Sequence, residues 1–281
     1  MNWIKRLFFL LLPVLVLFSC ATERRLAQQF VQEETNINVL LLPPPDLIVK
    51  YYPTHPDEAD PDTIDAYDLQ DARFVDEVDD SLVVNNFMQS LKYHLELFQV
   101  NVFGPDNIDS FFRLDTTAFI FSLSQMELME YLDEAIFTST IDTIQYLQRF
   151  PQTTLMQSHW FEFSTLNQPE KPMEVLYSMQ YTSDYFDGRF VYNPLSGEVT
   201  FRYTPYYLTS DDVFELAYFA GEQNAQYIFD YLMNYYVREE IASDTDRYFT
   251  YDRNRHVLRP AYNDRFIRIS NRENRNEQGP Q

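Results

Sequence analysis

One cysteine, five glycines and four histidines in 281 residues leave little material for several common chemistries. With glycine only at Gly104, Gly188, Gly197, Gly221 and Gly279, no glycine-rich loop can cradle a phosphate, and neither the P-loop nor the dinucleotide fingerprint occurs. Nucleotide chemistry and a nucleotide cofactor are therefore not expected. No Gly-x-Ser-x-Gly elbow is present, which removes the commonest serine-hydrolase signature. The histidines, His55, His94, His159 and His256, never stand three or four residues apart, so a helix-borne zinc pair is absent. Basic charge is scarce as well. Lys and Arg number 21 against 43 Asp and Glu, a formal charge of −22, and phosphate binding depends on basic charge. Wholesale attraction to nucleic acid or to anionic lipid is disfavoured.

What is abundant is aromatic: 21 Tyr and 24 Phe favour a pleated, half-buried surface and predict a substantial sheet. The chain is long enough for one large core. Its first 20 residues, MNWIKRLFFLLLPVLVLFSC, place Lys5 and Arg6 before an apolar run from Leu7 to Phe18. That run is shorter than the roughly 20 residues a bilayer span requires, so it reads as a processing segment. Leu17-Phe18-Ser19-Cys20 resembles the lipobox of bacterial lipoproteins, in which a small residue precedes the cysteine that becomes diacylated. The resemblance implies a leader over residues 1–19 and lipidation at Cys20. Two or three acyl chains, at about 0.8 kcal/mol per buried methylene, would anchor the chain stably. The alternative is an ordinary secretory signal with an incidental cysteine. Ala21-Thr22-Glu23-Arg24-Arg25 lacks the aspartate that resembles an inner-membrane retention mark and the acidic run that resembles a surface-export signal. The expected address is the periplasmic face of the outer membrane. With Cys20 committed to lipid, no disulfide, thiolate nucleophile or cysteine metal site remains.

Charge is unevenly spread. Residues 57–80 carry 11 acids against Arg73 alone, whereas residues 247–275 carry 8 arginines against Asp252, Asp264 and Glu273. A calcium loop is one reading of the acidic run, but counting from Asp57 there is no glycine at the sixth position, and the twelfth is Asp68. A solvated loop is the expectation, and no metal is assigned. For the arginine-rich end, Arg253, Arg255 and Arg259 are candidates for a docking surface, pairing with the chain's own acids or with a partner. An anionic envelope polymer is the sharper alternative.

Periodicity predicts the elements. Residues 20–35 read as a polar tether, and a single α+β domain is expected over 36–262. Asn38 to Leu42 is a buried strand stopped by Pro43-Pro44-Pro45. Ser81 caps a helix whose stripe is Val83, Phe87, Leu91, His94, Leu95 and Phe98, and Gln99 to Phe103 is a strand, which makes a parallel pair across a helix (part 36–125). An antiparallel meander is expected over 136–203, with strands near Ile136 to Leu147, Thr154 to Leu166 and Glu174 to Thr182. A hairpin follows around Asn193-Pro194-Leu195-Ser196-Gly197. Between the two parts the boundary from Met126 to Ala135 is ambiguous, since SQMELMEYLDEA suits a helix and its flanks suit strands. Residues 209–241 carry the strongest helical stripe, with Gly221 as a possible break. A terminal strand or hairpin follows near Arg247 to Thr250 and His256 to Leu258, then a disordered tail over 263–281.

On the strand containing His159-Trp160-Phe161-Glu162-Phe163, Trp160 and Glu162 share one face. They are candidates for contact with a glycan or a partner, against the plainer reading of Trp160 as core. The order of lipidated segment, Asn38-Val39-Leu40-Leu41-Leu42-Pro43-Pro44, helix and strand resembles periplasmic lipoproteins of the curli-secretion pore type, the N-terminal domain of the translocation protein TolB, and uncharacterised outer-membrane lipoproteins of Bacteroidota. That resemblance spans roughly residues 36 to 125 and implies an envelope protein; the residues themselves lead to no assigned catalytic residue and no cofactor. The expected function is a non-enzymatic adaptor or structural subunit, held to the membrane by lipid and bound to another envelope protein. The alternative is a glycan-binding or glycan-cleaving lipoprotein using Trp160 and Glu162.

Overall fold

The computed structural model describes residues 22–32, 37–58, 69–168, 171–241, 248–261 and 265–269. The leader, Cys20 and residues 59–68 of the acidic stretch lie outside the described residues. The architecture is α+β, as the periodicity predicts. β1 (Asn38–Leu42) and β2 (Leu47–Tyr52), separated by the triple proline, both run parallel to β4 (Ala118–Ile141), β1 against residues 118–122 and β2 against residues 126–131. α2 (Asp80–Leu97) carries the chain to β3 (Asn101–Phe103), which pairs parallel with β1 at the sheet edge. β5 (Ile144–Thr165) returns antiparallel along β4, β6 (Glu174–Ser183) pairs antiparallel with β5, and β11 (Ile267–Arg268) adds to β6. The order is β11-β6-β5-β4-β1-β3, with β2 on the same edge of β4 as β1.

One face of this sheet is covered by α2 and α4 (Ser210–Ile241). The expected stripe of α2 is there, with Val83, Phe87, Leu91 and Leu95 buried, but the helix begins earlier than Ser81: Asp79 caps it by accepting the Leu82 N–H at 3.1 Å. Gly221 does not break α4. It lies where the two helices cross, and a methyl group there would meet the Phe87 carbonyl oxygen at 2.5 Å and Ser90 Cβ at 2.7 Å. On the opposite sheet face α3 (Ile108–Phe111) covers one end, burying Phe111 against Leu40 and Ala118, and farther along Tyr52, Met129 and Tyr131 are buried as a second small cluster.

Three stretches depart from their sequence expectations. The expected tether is, over residues 22–32, a helix (α1) docked on α4, because Ala27 and Phe30 give it an apolar face: Phe30 packs on Phe229 and Tyr236 at 5.7 and 5.6 Å. The expected tail contains β11, anchored by Phe266, which is buried against Phe161, Tyr227 and Tyr231. Residues 126–135 are strand, and the expected single strand from Ile136 to Leu147 is two strands turned at Asp142-Thr143, both at positive φ (49° and 71°) as a tight hairpin demands. A bulge between Leu123 and Gln125 explains the ambiguous pattern, since it moves the helix-facing set from Phe119, Phe121 and Leu123 to Met126 and Leu128.

Past Tyr131, where β2 ends, β4 and β5 continue together as an arm of about 30 Å at the usual strand rise. A second hairpin, β7 (Tyr185–Tyr192) with β8 (Val199–Tyr206), lies over the arm. Phe137, Phe150, Phe186, Phe190, Phe201 and Tyr203 interlock between the two layers, with Phe150 stacked on Phe186 at 5.0 Å. Where arm and core meet, two buried carboxylates are satisfied by backbone. Glu130 accepts from the N–H groups of Arg73, Phe74 and Val75, and Asp184 from those of Thr153 and Leu208. β9 (Tyr248–Asp252) and β10 (Val257–Ala261) form a separate hairpin held on α4 by side chains: Asn234 both accepts from the Phe249 N–H and donates to its carbonyl, and Asp230 accepts from the Tyr251 N–H.

Gly221→Ala should destabilise the fold by about 2–3 kcal/mol, because backbone on the facing helix cannot yield as a side chain can. Gly104→Ala, with open space around it, should stay within about 0.5 kcal/mol of wild type. Urea denaturation of the three proteins checks both.

Candidate functional site

In most half-covered sheets apolar side chains face the helices and polar ones face water. Here the middle of β5 and β6 reverses that rule. Toward the helices point Gln157, His159, Ser178 and Gln180, all buried. Toward the side away from α2 and α4 point Met156, Trp160, Tyr177, Met179 and Tyr181, with Met179 49% and Tyr181 67% exposed. The register is held by apolar residues on the helix side around this segment, Leu155, Phe161, Phe163 and Leu176, which a one-residue slip would expel.

The outward strip lies between α3 at one end and β7–β8 at the other. At its centre Trp160 meets Tyr177 at 4.9 Å between ring centroids, and Ser158 shares a hydrogen bond of 3.1 Å with the Tyr177 hydroxyl. The bulge supports this point, because the extra residue Ser124 donates its hydroxyl to the Trp160 carbonyl at 3.0 Å. Glu162 shares the face, half-buried, as its spacing predicts. Glu127 on the same side is held by Lys50 at 2.9 Å. Trp160 and Glu162 share a face, as the strand period indicates; that Tyr177, Met179 and Tyr181 join them there was not read from the sequence. Their period of two was visible in VLYSMQY, but such a period marks the core face in an ordinary strand, so it pointed inward.

The arginine-rich end separates into two roles. Arg259 and Arg255 approach the Asp252 carboxylate at 3.2 and 3.9 Å, the intramolecular pairing that the charge pattern allowed. Arg253 instead lies half-buried with its guanidinium 5.7 Å from the Phe98 ring. Among the described residues no group of three His, Cys, Asp or Glu could hold a metal ion, and no helix is long and apolar enough to cross a membrane.

The inward polar set is costly. Ser178 donates to Asn224 Oδ1 at 2.6 Å, and Asn224 donates to the Ala220 carbonyl at 2.8 Å. His159 Nε2, Gln180 Nε2 and both polar atoms of the Gln157 amide have no hydrogen-bond partner among the described residues. His159 is stacked on Phe87 at 4.4 Å, and burial lowers its pKa to about 3, so the ring is neutral at any physiological pH. It is not a usable proton shuttle. The sign of its effect on stability follows. Above its ordinary value of 6.5 both folded and unfolded states hold it neutral; below that value only the unfolded chain takes the proton, and stability falls with pH down to about 3. Between pH 6.5 and 5 the wild type should lose about 1.5 kcal/mol more than His159→Phe, as measured by denaturant unfolding at each pH. Equal slopes would show that the ring protonates in the folded state.

No protein-family model and no curated protein matches this sequence.

Proposed function

We propose that this chain is a non-enzymatic envelope lipoprotein, anchored through Cys20 at the periplasmic face of the outer membrane, that serves as an adaptor for another envelope protein. The observation that carries the reading is the reversed patterning of β5 and β6. Burying a large apolar side chain is worth about 1.5–3 kcal/mol, and burying an unpaired polar group costs about 1–3. An arrangement that forgoes the first and accepts the second is costly in the free monomer, and that cost is offset when Trp160, Tyr177, Met179 and Tyr181 are covered by a partner. Their types fit that role, since aromatic residues and methionine are enriched at interface cores. The anchor is supported by the lipobox-like Leu17-Phe18-Ser19-Cys20. A glycan reading keeps one specific support, the Trp160–Tyr177 pair beside Glu162, a combination suited to a polyhydroxylated ligand.

Two measurements test the reading. Metabolic labelling with a palmitate analogue should mark the wild type and not Cys20→Ala; equal labelling would remove the anchor. For the strip, a photo-crosslinking residue at Met179 or Tyr181 should give one discrete protein adduct in intact envelopes, and the same residue at Phe219, exposed on α4, should give none. Trp160 is the only tryptophan after the leader, so its fluorescence reports directly on this surface. A shift with soluble peptidoglycan fragments and no crosslink would favour the glycan reading over the adaptor.

A further inference from the structure

The face built by α1 and the β9–β10 hairpin is the second unusual surface of the molecule. We infer that it lies against the membrane and receives an anionic phospholipid headgroup in the cleft between the two elements. The inference rests on Cys20 as the point of lipid attachment. The described helix starts at residue 22, two residues after Cys20 in the sequence, and Ala27 and Phe30 fix that helix to α4. At about 1.5 Å of rise per residue, Gln28 and Gln32 stand within about 15 Å of its start. The domain is therefore held close to the bilayer on one chosen side.

That side differs in charge from the rest of the chain. The cleft, about 410 Å³, places Gln28, Gln32, Arg253 and His256 around Phe98 and Phe229, and no carboxylate lines it among the described residues, although the chain carries 43. Arg253 makes no ion pair with any described residue, and neither do the exposed Arg24 and Arg25, one turn ahead of Gln28 and on its side of α1. Arg255 and Arg259 share the single carboxylate of Asp252, which offsets one of their two charges. The C-terminal end of α2 reaches the cleft, but the carbonyls of Leu95 and Glu96 are occupied by the N–H groups of Phe98, Gln99 and Val100, which weakens its repulsion of an anion. The net negative charge does not forbid the contact. Charges farther off than a Debye length of about 8 Å are screened, and each arginine at an anionic surface adds attraction locally.

The test uses the chain from Ala21 onward, which keeps every residue of the described fold and lacks the anchor, so it does not depend on lipidation. In sedimentation with vesicles at about 50 mM salt, the protein should bind phosphatidylcholine containing about 30% phosphatidylglycerol and not phosphatidylcholine alone, with release at about 300 mM salt. Replacing Arg24, Arg25 and Arg253 by glutamine should lower the partition coefficient at least about tenfold without changing the melting temperature, and the triple lysine variant should restore it. Binding equal on both vesicles, absent at low salt, or kept by the glutamine variant overturns the inference and leaves palmitate labelling at Cys20 untouched. Inorganic phosphate should leave the melting temperature unchanged; stabilisation by phosphate without vesicle binding would assign the cleft to a soluble anion and also overturn it.

Discussion

The antiparallel ladder between β4 and β5 is the constraint on which the other elements depend. It runs from Phe119 opposite Thr165 to Ile141 opposite Ile144, and every other layer is arranged by reference to it. β1 and β2 share its outer edge, β6 takes the other edge, the helices take one face, and β7–β8 take the opposite face farther out. A ladder this long twists, and one continuous cover on a single side would have to follow that twist. The chain covers alternate sides in succession instead, with helices over the core and the aromatic hairpin over the arm. The bulge at Ser124 and Gln125 lets the core-facing set change parity partway along without breaking the pairing.

Elements whose periodicity matched one cover were legible in the sequence. Asn38 to Leu42, the stripe from Val83 to Leu95, the hairpin around Asn193 to Gly197 and the helix from Ser210 each carry a local pattern that tertiary packing only confirms. What could not be read depended on partners distant in sequence. LIVKYY gave no clear strand signal until β4 lay beside it, Ala27 and Phe30 acquired meaning only with α4 beneath them, and Phe266 only with Phe161 and Tyr231 around it. Of the candidate surface, the common face of Trp160 and Glu162 was legible because strand geometry alone decides it. The side of the sheet that this face would occupy was not legible, since it follows from Leu155, Phe161 and Leu176 outweighing Gln157 and His159.

Acidity in this chain is not merely a solvating coat. Glu130 and Asp184 are buried, Glu130 gathering N–H groups of the irregular segment before α2 and Asp184 joining Thr153 of β5 to Leu208 ahead of α4. A carboxylate accepting two or three such bonds is well compensated for the loss of water. Arg73 joins them, approaching Asp184 at 3.6 Å and donating to the Leu208 carbonyl at 3.0 Å. The single basic residue in the acidic stretch therefore connects the loop before α2, the β6–β7 junction and the entry to α4.

The β9–β10 hairpin exchanges no main-chain hydrogen bonds with the seven-stranded sheet; Gln226, Asp230 and Asn234, spaced one turn apart on α4, supply side-chain bonds where a neighbouring strand would supply a ladder. Such a unit can detach as a small cooperative piece while the ladder stays closed, since only its own contacts need open. Amide protons of Phe249 and Tyr251 would then exchange through a partial opening, at a lower free energy than those in the middle of β5. The hairpin behaves as a latch on the helix, and its opening would release one wall of the cleft without unfolding the domain.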